Sequence, residues 1–345
     1  MTAYRYAQPG EAMNARTLAV VAIAVLPIAC TPDLPAPTAE DVARAPRTSW
    51  GDPSIEGTYT NKDEFGTPFE RPDELAGKRR DEFGAAEMAA LMVERRERGR
   101  ALAQTIGGSP TNDTGAGPPH WYEYLEAVNS RPWFVSEPAD GKLPQLTEQG
   151  KERAQALVRG FAKRDAPDTY TDMGLYDRCI TLGLPSSMMP MIYGNAYDIT
   201  QAPGYVAIRY EMVHETRVIP LGGSPHVPAE IDFWMGDARG RWEGETLVVE
   251  TTNIREAAAY RGASESLKII ERFTPIDEST LSWEVRFEDP ATWAAPWAIE
   301  MPLKRSAEAT PFEYACHEGN LGLRNILSAA RAAERDPTSA TNPHR

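Results

Sequence analysis

The chain has 345 residues, 41% of them hydrophobic and 25% charged, a globular composition with length for one large domain or two smaller ones. Fifty Asp and Glu against 36 Lys and Arg give a formal net charge of −14, so the surface repels phosphate backbones and nucleic acid is disfavoured as a partner. With 29 prolines and 26 glycines the chain favours turns and loops over a helical bundle.

The first predicted element is an export signal. Arg16 precedes an apolar run over 17–29 that ends in Ala29-Cys30, with Met13 as the expected start. The run falls short of the roughly 20 residues that a membrane-spanning helix needs. Leu26-Pro-Ile-Ala-Cys30 resembles a bacterial lipoprotein box, in which the cysteine becomes the lipidated first residue, although Pro27 stands where leucine is usual. Ordinary cleavage beside a stray cysteine is the alternative. The expected organisation is a signal peptide over 1–30, a Pro/Ala-rich tether over 31–48, one α+β domain over 49–335 and a disordered tail over 336–345. The expected location is periplasmic, or membrane-anchored through lipid on Cys30 and facing the periplasm.

In an oxidising compartment Cys179 and Cys316 read either as a disulfide or as two separately buried thiols. A bond between them would close a long loop and contribute about 4 kcal/mol through loop entropy.

Trp50–Thr60 reads as a turn entering a short strand. Phe83, Met88, Leu91, Met92, Leu102 and Ile106 recur at helical spacing and predict a helix over 73–105, its Glu/Arg-rich face solvated. Trp133-Phe-Val begins a strand closed by an Asp140-Gly141 turn, and Thr147 caps a helix that runs to Lys163. From Tyr193 to Cys316 the pattern is β: strands at 197–201, one long strand over 204–221, 231–235, a tight turn over 237–241, then strands at 246–253, 267–274, 280–288, 297–305 and 312–316. A helix over 319–335 closes the domain. Consecutive strands joined by short turns exclude a parallel sheet. The fold class is therefore α+β: an antiparallel β-barrel or strongly curved sheet in the C-terminal half, about 193–316, with flanking helices from the N-terminal half.

Alternation gives each long strand one apolar and one charged face. Leu281, Trp283, Val285 and Phe287 oppose Ser282, Glu284, Arg286 and Glu288; Ile269, Glu271 and Phe273 oppose Lys268, Ile270 and Arg272. The favoured reading puts the apolar faces in the core and the charged faces in water; the other lines a lumen with the charges.

His214 falls on the apolar face of the 204–221 strand. There it is either a hydrogen-bonded core histidine or a general base, with Glu211 or Asp237 orienting it. These three are the candidate catalytic residues. Arg209, Arg217, His226, His317 and Glu318 are the candidate ligand-binding residues, the last three in loops at strand ends. No HExxH, CxxC or helical His pair is present, so no metal is expected; no GxGxxG, Walker or GxSxG signature is present, and no cofactor is expected.

Phe69-Glu-Arg-Pro72, Asp140-Gly-Lys-Leu-Pro144, Asp177-Arg-Cys-Ile180, Gln201-Ala-Pro-Gly-Tyr-Val206, Glu211-Met-Val-His214, the run from Gly236 to Asn253 and Phe312-Glu-Tyr-Ala-Cys-His-Glu-Gly-Asn320 resemble a family of exported bacterial proteins of unassigned function. The resemblance covers about residues 50–335 and implies an exported, single-unit, β-rich protein; it carries no activity to transfer. Arg241-Trp-Glu-Gly-Glu-Thr-Leu247 also resembles the strand–turn–strand of lipocalin-like barrels. Three functions follow as expectations: a binding protein for a small, partly apolar molecule held in a barrel-like pocket; a lyase, isomerase or hydrolase with a histidine base; or a structural envelope lipoprotein. A barrel filled by Trp242, Trp283, Phe287 and Trp297 would favour the last.

Overall fold

Alternating apolar residues build one antiparallel sheet, which a computed structural model describes over residues 45–107, 130–163 and 167–335. The predicted signal, Cys30, the tether up to residue 44 and the tail over 336–345 lie outside the described residues. The strands are β1 (Gly57–Thr60), β2 (Val135–Glu137), β3 (Ala196–Ala202), β4 (Tyr205–Tyr210), β5 (Thr216–Pro220), β6 (Asp237–Glu243), β7 (Thr246–Thr252), β8 (Lys268–Pro275), β9 (Thr280–Glu288) and β10 (Trp297–Arg305). The helices are α1 (Ala85–Gly107), α2 (Glu148–Lys163) and α3 (Gly322–Arg335).

The strand order is β5-β4-β3-β1-β10-β9-β8-β7-β6, with β2 paired to β10 beside this path. Every step along it is antiparallel. Nine strands related by antiparallel steps leave the first and last parallel to each other. That parity governs the seam. β5 and β6 meet in a single parallel bridge, Leu221 to Gly240, so the barrel is nearly rather than fully closed. Side chains complete what the backbone cannot. A Cβ on Gly240 would come within 2.6 Å of Leu221 and 2.9 Å of Ile219, so only glycine lets these two side chains pack across the seam.

The apolar faces turn inward, as the favoured reading of the strand faces has it. Leu247, Phe273, Trp283 and Met301 form one cross-strand row, and Val249, Glu271, Val285 and Ile299 the next. Thr251, Ile269, Phe287 and Trp297 form a third, in which Phe287 and Trp297 stack with centroids 4.0 Å apart. Trp283, Phe287 and Trp297 are fully buried, and Trp242 packs on this core from a partly buried position. The interior is occupied by protein side chains. At about 25 cal/mol per Å² of apolar area, each of these buried aromatic side chains contributes on the order of 3 kcal/mol.

Several sequence expectations change, among them the strand over 231–235, which is irregular backbone with one isolated bridge at Phe233. The long strand over 204–221 is a hairpin: β4 and β5 pair with Ile208 opposite Arg217. Between them Val213 and His214 take positive φ, reversing the chain over 211–215. The reversal shifts the alternation, so Arg217 and Ile219 point inward while Thr216 and Val218 face out. The expected turn over 237–241 is strand β6, whose glycine serves the seam instead of a bend. Residues 312–316, expected as a strand, form turns and irregular backbone. At the other end of the chain, α1 begins at Ala85 rather than 73, because Gly77 (φ +85°) interrupts two short 3-10 turns ahead of it.

The segment 45–55 crosses the turn end of the barrel. The Ala45 amide donates to Glu245 Oε2 at 3.1 Å and Arg47 pairs with Glu245. Gln201 accepts from the Ile55 amide at 2.7 Å and donates to the Pro53 carbonyl at 3.0 Å.

Candidate functional site

Each histidine predicted from the sequence has a definite place. His214 sits in the β4–β5 turn, exposed, and so off the apolar face on which alternation alone had put it. Its Nδ1 lies 2.8 Å from the Tyr314 carbonyl. A carbonyl only accepts, so Nδ1 carries a proton and donates it. The His214 amide donates to the Glu211 carbonyl at 3.1 Å, and Glu211 Oε2 accepts from the Ala196 amide at 3.2 Å.

Asp237 belongs to His226. His226 Nδ1 is 3.0 Å from Asp237 Oδ2 and its Nε2 is 3.4 Å from Glu250 Oε1. Asp237 also accepts from the Val227 amide at 3.0 Å and pairs with Arg239, which donates to the Pro225 carbonyl at 3.0 Å and 3.1 Å. Partial burial raises the Asp237 carboxyl, but these donors outweigh it and hold it below the usual carboxylate range. With a carboxylate at each ring nitrogen, His226 fastens the 225–227 loop to β6 and β7.

Arg209 faces outward, bound to Asp198 at 2.7 Å and to the Pro311 carbonyl at 3.3 Å. Arg217 is enclosed in the barrel and paired through both Nη atoms with Glu271. Trp283 Nε1 donates to the same carboxylate at 3.1 Å, and the Tyr210 hydroxyl lies beside the guanidinium without a well-aligned hydrogen bond. Burial, then Glu271 and Glu215, push the Tyr210 phenol up against the opposing pull of Arg217, so it stays neutral. His317 and Glu318 are exposed in the loop after Cys316.

Cys179 and Cys316 form a disulfide with Cα atoms 5.6 Å apart, bridging 137 residues of sequence. It joins the 174–180 turns to the 313–320 loop that leads into α3. Between them lies a cleft of about 490 Å³. Tyr176 and Tyr314 form one wall, their hydroxyls 2.6 Å apart and their rings tilted 37° at 6.4 Å between centroids. Leu323 and Ile326 of α3 also line the cleft, and Asp177 and Glu313 stand among the lining residues. Burial raises both phenols, so both tyrosines are neutral at any ordinary pH. α3 is amphipathic yet has no buried residue, and Phe312, Leu321 and Ile326 are exposed around the cleft.

Two further clefts lie among the described residues. One of about 420 Å³ lies between the 45–56 segment and the β8–β9 turn, where Arg305 donates to the Tyr59 hydroxyl at 2.7 Å and lies over its ring. The other, about 390 Å³, lies between α2, the 171–178 turns and 256–263. No histidine lines any of the three. Among the described residues, no group of three His, Cys, Asp or Glu is arranged to hold a metal ion.

The sequence pointed to histidines and arginines and passed over Tyr176, Glu313, Tyr314 and Leu323. The available signal was the Cys179–Cys316 pair: once bonded, it brings Tyr176 and Tyr314, three and two residues away, to the same place. Comparison of the chain with family models, with curated proteins and with solved structures finds no match.

Proposed function

We propose that the protein is an exported, lipid-anchored binding protein for a small, partly apolar molecule, held in the cleft between α3 and the disulfide-bonded loop. The observation that carries this reading is the cleft itself. Its volume lies in the range of small-molecule sites, and it joins an apolar wall, Leu323 and Ile326, to a few fixed polar groups. The apolar run over 17–29 followed by Cys30, together with the resemblance to exported bacterial proteins, supports the compartment and the anchor.

A specific observation favours a second reading, a structural envelope lipoprotein. Trp283, Phe287 and Trp297 fill the barrel interior, so a ligand has no place there. Native mass spectrometry of the protein purified from its own host separates the two. The binding reading expects a small adduct on the wild type that is lost in Ile326→Asp, on a mature chain that begins at lipidated Cys30. A bare wild-type mass would leave the structural reading, and an unmodified N-terminus elsewhere would remove the anchor.

A further inference from the structure

We infer that the ligand of this cleft is an organic cation, an amine or ammonium group carried on a short apolar body. The inference rests on the reading of the cleft as the binding site and adds the ligand's charge. Among the described residues, Asp177 and Glu313 are the formally charged side chains on its lining, and no Lys, Arg or His takes part. Glu313 is exposed, and among the described residues its carboxylate makes no ion pair or hydrogen bond. Asp177 accepts from the Gly174 amide at 2.9 Å, which fixes its carboxylate in the turn.

Two arginines near these turns have other partners. Arg178 stacks on Tyr170 with its guanidinium 5.3 Å from the ring centroid, and Arg209 is held by Asp198. His214 turns Nδ1 to the Tyr314 carbonyl. Arg324 follows Leu323, about 100° further round the helix, and lies about 200° from Ile326, so it leaves the walled face.

The two uncharged elements of the lining agree with the carboxylates. Tyr176 and Tyr314 remain neutral phenols, and the faces of their rings carry the negative end of the ring quadrupole. An ammonium group satisfies ring faces and carboxylates together. A carboxylate or phosphate ligand would meet the Glu313 carboxylate with no Lys, Arg or His among the described lining residues to offset it. Leu323 and Ile326 on the same lining receive the apolar body, which sets the ligand apart from a hydrated inorganic cation. The chain's net charge of −14 raises the local concentration of cations in the same direction.

The experiment is isothermal titration of the purified, disulfide-intact protein with hexylammonium, 1-hexanol and hexanoate, which share one apolar chain and differ in head group. Hexylammonium is expected to bind about tenfold more tightly than 1-hexanol, and hexanoate most weakly. Glu313→Gln is expected to remove most of the difference while leaving 1-hexanol affinity unchanged. Added salt should weaken hexylammonium alone. Equal affinities for all three would overturn the cation inference and leave the binding reading standing. Absence of binding by any of the three would overturn both. A preference for hexylammonium that survives in Glu313→Gln and in a folded Asp177→Asn would also overturn the inference, because the charge would then be read elsewhere.

Discussion

Glu300 on β10 accepts from Arg131 at 3.0 Å and 3.1 Å, pairs with Arg80, and accepts from Ser282 at 3.0 Å. Burial pushes its carboxyl up, but the two guanidiniums override burial and leave it at about 2. A depressed folded value means the unfolded chain binds the extra proton first. The stabilisation, about 3 kcal/mol, is complete above the unfolded value near pH 4.5 and is lost as pH falls towards 2. Chemical denaturation of wild type and Glu300→Gln should therefore differ strongly at pH 7 and converge at pH 2 to 3; a constant difference across that range would refute the linkage. The Arg217–Glu271 pair makes a second residue-scale case. Arg217→Met leaves a buried carboxylate with only Trp283 Nε1 as donor, and should cost about 3–5 kcal/mol. Adding Glu271→Gln keeps an acceptor for Trp283 and should recover most of that loss in urea denaturation. No recovery would mean that packing, not charge, sets the cost. Glu271 was legible as an inward-facing residue from alternation; its partner was not, because the reversal at Val213–His214 moves Arg217 to the other face.

Among the elements, the seam and α3 depend on contacts other than backbone ladders. β5 is joined to β6 by one bridge, and is tied across the barrel by Arg217 to Glu271 on β8. α3 has 14 residues, none buried, and a helix of that length is marginal alone in water. It is held through the Cys179–Cys316 bond and through Arg331, which donates to the Asp168 carbonyl at 2.7 Å and the Pro167 carbonyl at 3.0 Å. Reduction, or the double variant Cys179→Ser/Cys316→Ser, should lower stability by up to about 4 kcal/mol. Hydrogen exchange should show α3 and 313–320 losing protection while β7 to β10 keep theirs. Equal protection of α3 before and after reduction would show that the disulfide does not hold the cleft. The strand hairpin at 275–280 was legible because local turn residues and alternation determine it. The β4–β5 reversal was not, because its sequence, Glu211-Met-Val-His-Glu215, carries neither glycine nor proline.

For the molecule as a whole, the sequence by itself determined the class: an acidic, α+β chain with a run of consecutive antiparallel strands, an inward apolar face and an outward charged one. These follow from period-two alternation and short connections, which are local properties of the chain. Tertiary structure decided the rest. Nine strands joined by antiparallel steps left the barrel a parallel seam, and no local signal counts strands around a circle. Close packing of aromatic rings from β8, β9 and β10 filled the interior, so the site could not lie where a barrel suggested it. The cleft is built from residues more than a hundred positions apart, brought together by one covalent bond. Residue type and spacing along the chain report which groups are present; only the path of the backbone through space decides which of them meet.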